Sequence, residues 1–337
     1  MRAFVLTGPR QFTVADVEPP LAAPGQVVVD VERAGVCGTD AEFFTGHMAY
    51  LHQGHATYPM RLGHEWCGAV SAVGDGVDPA WVGQRVTGDT MLGCGRCHRC
   101  RTGRQHVCED RFEIGVRGGW PGALAEQLPV PVTALRALPD SVGPAAGAMV
   151  EPGGSALRAV QAAGLDPGDT VLVLGAGTIA LLVAQFALAC GALVHVLGLT
   201  QPSLDFARTL GVQGAWTAAE LPAIPFDAVI DCSTGAELPA FALDLIEPGK
   251  RIVFVGLSAT PSHIDTRTMV LKDVTAVGIL SASPALDGVI GQYASGSVDP
   301  RPLVAATVGL GQVGDVLSGT RPPGAGPGPK ILVDPRL

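Results

Sequence analysis

Thr170-Val171-Leu172-Val173-Leu174-Gly175-Ala176-Gly177-Thr178-Ile179-Ala180 is the stretch that decides the fold of this chain. Its continuous apolar and β-branched opening reads as a strand buried on both faces, as strands of a parallel sheet are. Gly175 suits the tight turn that follows. Gly177 lets a phosphate approach the free N–H groups at the start of a helix. Ala180 stands in place of the third glycine of the G-x-G-x-x-G pattern. The apolar segment from Ile179 to Cys190 has helical length, and Leu193-Val194-His195-Val196-Leu197 reads as a second strand. Residues 169–198 therefore form one βαβ unit of the size that holds half a dinucleotide. The candidate cofactor contacts are Gly175, Gly177, Thr178 and Ile179, then Gly198, Leu199 and Thr200 after the second strand. Cys232, Val255 and Gly256, at the ends of later strands, complete the set.

Those later strands are residues 226–231, 251–255 and 274–278. Their alternation with helical segments predicts an α/β domain built on a doubly wound parallel sheet. Upstream the pattern changes. Val27-Val28-Val29-Asp30-Val31-Glu32 follows Pro24-Gly25, and residues 68–74 and 84–87 read as further short strands between Gly and Pro turns, which suggests a folded barrel. After about residue 283 the helix–strand alternation stops. The tail, with Pro322-Pro323-Gly324 and Ile331-Leu332-Val333, is expected to return to the barrel. The expected division is 1–148 with 284–337 for the barrel domain and 149–283 for the dinucleotide domain, a length that suits two cores.

Within the barrel half lies Cys94-Gly95-Arg96-Cys97-His98-Arg99-Cys100, followed by Cys108. The spacing C-x2-C-x2-C-x7-C can wrap one ion in four thiolates, and the ion it suits is Zn2+. Gly93, Gly95 and Gly103 allow the backbone to turn so that the sulfurs face inward. A closed site of this kind is structural. The lobe, at about 90–112, is expected as an insertion in the barrel. Zinc ribbons often bind nucleic acid, but the chain carries a net charge of −9, and Phe112 is the lone aromatic of the lobe. No nucleic-acid partner is expected. Half of the eight cysteines sit at metal spacing with no secretory signal before them, so a reducing, cytoplasmic setting is expected, not a disulfide framework. No apolar run approaches the roughly 20 residues of a membrane span, and no membrane partner is expected.

A second metal set is spelled by Cys37-Gly38-Thr39-Asp40 and Gly63-His64-Glu65. A catalytic zinc needs about three protein ligands and one open position. Cys37 and His64 are the first two. The third is Glu65 or Glu151, the latter in Met149-Val150-Glu151-Pro152.

Taken together, these motifs resemble the zinc-containing medium-chain dehydrogenase/reductases of the alcohol dehydrogenase superfamily, nearest the polyol (sorbitol) and threonine dehydrogenase branch. They follow the family's order from about residue 30 to 260. The resemblance implies a GroES-like β-barrel catalytic domain, a Rossmann NAD(P)-binding domain and an active site in the cleft between them. It implies two Zn2+ per chain, one catalytic and one structural, and a hydride transfer between a secondary alcohol or polyol-type substrate, or the matching ketone, and NAD(P). An amino-alcohol or threonine-type dehydrogenase shares every motif. A non-catalytic zinc- and dinucleotide-binding protein is the reading from another class, and the intact set Cys37, Thr39, His64, Glu65 and Glu151 argues against it. By the same resemblance, Cys37 and His64 hold the catalytic zinc, with Glu65 as ligand and Glu151 as ligand or water holder. Thr39 accepts the substrate's hydroxyl proton, and Asp40 bonds the far nitrogen of His64. Many relatives carry His three positions after the Ser or Thr of this motif. Here that residue is Glu42, so either Glu42 or a cofactor ribose hydroxyl ends the proton path.

Gly198 occupies the place of the acidic residue that usually holds the adenosine ribose. Its lack of charge tilts the cofactor toward NADP, although no arginine stands at Leu199 or Thr200 to bind a 2′-phosphate. The segment 46–58, with His47, Tyr50, His52, His55 and Tyr58, is long enough to overhang the cleft and suits a polar alcohol or ketone. A homodimer or homotetramer is expected. His195 and His263 are read as structural; Cys67, Cys190 and Cys232 are read as core packing.

Overall fold

The computed structural model describes residues 1–337. One half of the molecule is a six-stranded parallel sheet, ordered Gly214–Trp216, Leu193–Leu197, Thr170–Leu174, Phe226–Asp231, Ile246–Phe254 and Thr275–Gly278. Numbered along the chain, this order is 3-2-1-4-5-6, that of a Rossmann domain. Its crevice lies where the order reverses, between Thr170–Leu174 and Phe226–Asp231. Val171 and Val173 face one core with the helices Val150–Ala163 and Thr178–Ala189, while Leu172 and Leu174 face a second core with the helix Leu238–Leu245. Both faces are dry, which is why the segment shows no alternation; each such side chain contributes about 1.5–3 kcal/mol on burial. The edge strand Gly214–Trp216 left no sign in the sequence, because three residues starting with glycine carry no period.

The other half is a β-barrel-like sheet. Its strands run Val304–Val308, Lys330–Val333, Gln26–Gly35, Glu65–Val73, Arg85–Gly88 and Leu135–Ala137, and Gln127–Pro131 also pairs with Gln26–Gly35. Val27, Val29 and Val31 point into a core with Phe4, Trp66 and Leu128. Two pairings bring the site together. Glu65 lies opposite Gly35 on the antiparallel neighbour, and Leu332 lies opposite Gly35 on its other side. The helix Leu286–Ser295 packs on Val150–Ala163. Gly153 leaves the space for it, since a Cβ there would stand 2.4 Å from Tyr293 Oη. No helix is long and apolar enough to cross a membrane.

Candidate active site and metal centres

Cys37 caps the helix Gly38–Thr45, in extended backbone, so its thiol projects from the end of the strand Gln26–Gly35 and is not carried round the helix. Its N–H donates to Asp40 Oδ2 at 2.9 Å, and Gly63 N–H donates to Asp40 Oδ1 at 3.2 Å. Asp40, fully buried, thereby locks the Cys37 backbone to the Gly63-His64 backbone. His64 and Glu65 begin the strand Glu65–Val73. A ligand atom of each of Cys37, His64 and Glu65 lies within 4.8 Å of the others. Glu65 reaches this point because Gly35 has no side chain; a Cβ there would stand 1.9 Å from Glu65 Oε2. Asp40 Oδ1 stands 3.7 Å from His64 Nδ1, beyond hydrogen-bond length, and that buried nitrogen has no partner. Its two carboxylate oxygens are used by backbone N–H groups first.

The titratable groups at this point perturb one another. Burial pulls the His64 ring down, yet Cys37, Asp40 and Glu151 outweigh it and hold the ring well above its ordinary range. Glu151, at the head of the helix Val150–Ala163, is pushed up to about 7, first by burial and then by Glu65 and Asp89, against the pull of His64 and Lys330. A thiol, an imidazole and a carboxylate converge here, a donor set that fits a bound Zn2+. Thr39 sits half-buried on the first turn of the Gly38–Thr45 helix, and Glu42, one turn on, is exposed.

The second donor set is Cys94, Cys97, Cys100 and Cys108, whose sulfurs all lie within 4.8 Å of one another. Sulfurs at the corners of a zinc tetrahedron are about 3.8 Å apart for a Zn–S bond of about 2.3 Å. Cys97 Sγ and Cys108 Sγ are 3.8 Å apart. Cys94 is drawn down to about 6 by the backbone N–H groups of Arg96 and Cys97, while Cys100 is pushed up to about 12 by burial and its neighbouring thiols. Gly93 is obligatory here: a Cβ would stand 2.7 Å from Cys100 Sγ.

The cofactor candidates gather at the carboxyl ends of the parallel strands. Gly175 adopts φ 108°, which favours glycine, and its N–H donates to Leu197 O at 2.8 Å. Gly177 caps the helix Thr178–Ala189 without a side-chain bond and faces open space. That is the cradle a pyrophosphate needs. Ile179 lies on the same first turn. Cys232 N–H donates to Leu174 O, and the N–H groups of Val255 and Gly256 both donate to Asp231 O. Gly198 follows Leu193–Leu197, Leu199 is 95% exposed, and Thr200 caps the helix Gln201–Thr209. The segment 46–58 folds onto Arg111, Glu113 and Gly118, at and just after the end of the four-cysteine lobe. Gly118 N–H donates to His55 O, and Tyr50 Oη bonds Glu113 Oε1 at 3.2 Å and Arg111 Nη2 at 3.1 Å.

Two family models cover most of the chain: an alcohol dehydrogenase GroES-like domain over residues 23–140 and a zinc-binding dehydrogenase domain over 178–292. A protein named L-threonine 3-dehydrogenase from Deinococcus deserti is 32% identical over 280 residues, 79% of each chain. The chain belongs to the zinc-containing medium-chain dehydrogenase/reductase family, within the alcohol dehydrogenase superfamily. Among solved structures, this dehydrogenase superposes on an alcohol dehydrogenase (RspB) from E. coli CFT073 complexed with NADH, at TM-score 0.91, 28% identity and 99% of both chains. A structure from Sinorhizobium meliloti 1021 bound to NADP matches at TM-score 0.90 and 28% identity, again over 99% of both.

One residue of this dehydrogenase's site was not foreseen from its sequence. Lys330, at the start of the tail strand, is 2% exposed and donates to Glu65 Oε2 at 2.5 Å and Val36 O at 2.9 Å. Burial lowers it, but Glu65 and Cys37 hold it above its ordinary range. The available signal was compositional: lysine occurs only at 250, 272 and 330, and Lys330 directly precedes an apolar strand.

Proposed function

We propose that the chain is a zinc-dependent oxidoreductase that moves a hydride between a secondary alcohol or polyol-type substrate, or the matching ketone, and NAD(P). The observation that carries this reading is the convergence of Cys37, His64 and Glu65 beside Glu151, at the head of the helix leading into the dinucleotide sheet. A zinc ion there would supply Lewis acidity to the substrate oxygen, and a nicotinamide would carry the hydride. The chain's own residues do the rest. Cys37 and His64 hold the metal, with Glu65 or Glu151 as the third ligand. Thr39 takes the hydroxyl proton, and either exposed Glu42 or a ribose hydroxyl of the cofactor passes it to water. Asp40 fixes the backbone of both ligand segments. Gly175, Gly177, Thr178 and Ile179 receive the pyrophosphate, and Gly198, Leu199 and Thr200 receive the adenosine ribose. Cys232, Val255 and Gly256 line the nicotinamide side.

A second zinc sits in the four-cysteine lobe, and the cofactor preference leans to NADP. Residues 1–148 with 284–337 form the catalytic part and 149–283 the dinucleotide part. The working form is a cytoplasmic homodimer or homotetramer. The edge strand Thr275–Gly278 has a free side, and nearby Leu257, Val270 and Leu271 are 75%, 78% and 75% exposed, which is surface that a partner covers. A threonine-type substrate is the second reading, favoured by the relatives named L-threonine 3-dehydrogenase. The test is NAD(P)H absorbance with zinc-replete protein, polyols, cyclitols and amino alcohols including L-threonine, with and without a chelator. Chelator-sensitive turnover of a polyol is expected. Turnover confined to L-threonine replaces the first reading by the second, and no turnover of any alcohol overturns both.

A further inference from the structure

The sequence offers no cation beside Gly198, and Arg208, the nearest arginine, is already engaged, bonding Asp205 Oδ1 at 2.6 Å and the Ala215 carbonyl. The fold brings another cation to this place from more than a hundred residues away. A cavity of about 570 Å³ is walled on one side by Ala176 of the Gly-Ala-Gly turn with Thr200 and Ser203, and on the other by Arg321 and the loop ending at Pro329. The first wall is where the βαβ unit places an adenosine ribose, at the carboxyl end of the second strand. It is lined with hydroxyls: Thr200 Oγ1 donates to Ser203 Oγ at 3.0 Å, and Ser203 Oγ donates to Thr200 O at 2.8 Å. No carboxylate lines the cavity. On the second wall, one Arg321 Nη donates to the carbonyls of Gly326 and Gly328, which fixes the guanidinium on its loop. No acidic side chain pairs with it, so its charge is uncompensated and its remaining N–H groups are available.

We infer that Arg321 is the cation that receives the 2′-phosphate of NADP, reaching the adenosine ribose from the C-terminal segment. The inference rests on the NAD(P) reading above and deepens it. A guanidinium with three free N–H groups matches a phosphate better than an ammonium does, and a cavity with hydroxyls but no carboxylate accepts the dianion without repulsion. Arg321 thus acts as a specificity-determining residue. It discriminates between dinucleotides, not between alcohols.

The test is direct binding, measured by calorimetry on zinc-replete protein, of NADPH, NADH and adenosine 2′,5′-bisphosphate, the last of which carries the 2′-phosphate but no pyrophosphate. Arg321→Gln is expected to weaken NADPH and the bisphosphate roughly tenfold to hundredfold, the worth of a charge-assisted hydrogen bond, and to leave NADH within about twofold. Arg321→Lys keeps the charge while breaking the loop anchors, and is expected to recover part of the NADPH affinity. Equal losses for NADPH and NADH would overturn the inference, because the contact would then be to the pyrophosphate or to loop shape. Unchanged NADPH binding, or a wild type that binds only NADH, would overturn it as well. A wild type that binds neither dinucleotide overturns the NAD(P) reading itself, an outcome distinct from both.

Discussion

Lys330→Met removes the positive half of a buried pair. Lys330 and Glu65 side chains are 2% and 1% exposed, with charged atoms 2.5 Å apart. With Glu151 as the third zinc ligand, taking away the ammonium leaves the Glu65 carboxylate without water or counter-charge, and such one-sided losses cost about 3–5 kcal/mol. Methionine retains most of the stem, so little of that loss comes from a cavity. The Val36 carbonyl loses its donor too, adding about 1 kcal/mol at most. Glu65→Gln in the same chain removes the stranded charge, so the double variant is expected to recover at least half of the loss. The assay is a double-mutant cycle on zinc-replete protein, read by denaturant unfolding, with an expected coupling of more than about 2 kcal/mol. A Lys330→Met protein as stable as wild type would refute the reasoning. Glu65 would then have its counter-charge from a metal ion, and the third-ligand question would resolve in its favour and against Glu151.

Metal analysis of fresh protein is expected to give two zinc ions per chain; Cys97→Ser should bring this to one and lower stability, and a wild type with a single ion would remove one of the two centres. His64→Ala should abolish turnover while the far-UV spectrum stays native. Thr39→Val should keep both metals but lower kcat by about two orders of magnitude, the usual worth of a positioned proton acceptor, and unchanged kcat with hydride transfer limiting would take Thr39 off the proton path. Asp334, held by Arg336 and Arg33, has its carboxyl lowered from 3.8 to about 2. The depressed value means its stabilisation is complete above pH 5 and fades as pH falls from about 4 through 2, so Asp334→Asn should cost about 2 kcal/mol at pH 7 and progressively less below pH 4. A cost that does not change between pH 7 and 3 would contradict this.

The dinucleotide half was legible because its signals are local. The run 170–174 is continuous for the reason that both its faces are covered, and the Gly175 and Gly177 requirements belong to the turn itself. The four cysteines and the pair His64-Glu65 were likewise readable as contiguous words. What escaped depends on partners far along the chain. Lys330 meets Glu65 across 265 residues, and Arg321 meets the Thr200 turn only once the tail has folded back. Asp40 shows a subtler difference: the motif assigns it to the ring of His64, yet backbone N–H groups that no sequence displays claim its oxygens. Gly198 reads as a cofactor signal, but a Cβ there would also stand 2.9 Å from Leu204 Cδ2 and 3.2 Å from Ala176 Cβ. Helix packing alone therefore favours glycine at that position, whichever cofactor binds.

The tail strand Lys330–Val333 slots in beside Gln26–Gly35 and brings the ammonium that neutralises Glu65. During synthesis the Cys37, His64 and Glu65 segments leave the ribosome long before Lys330 does, and domains fold in the order they emerge. Until the final strand arrives, the pocket holds an acidic cluster with no lysine in it. A chain truncated just before residue 330 keeps every donor atom yet lacks the piece that balances them. Of these residues, Lys330 is therefore the last to join the pocket.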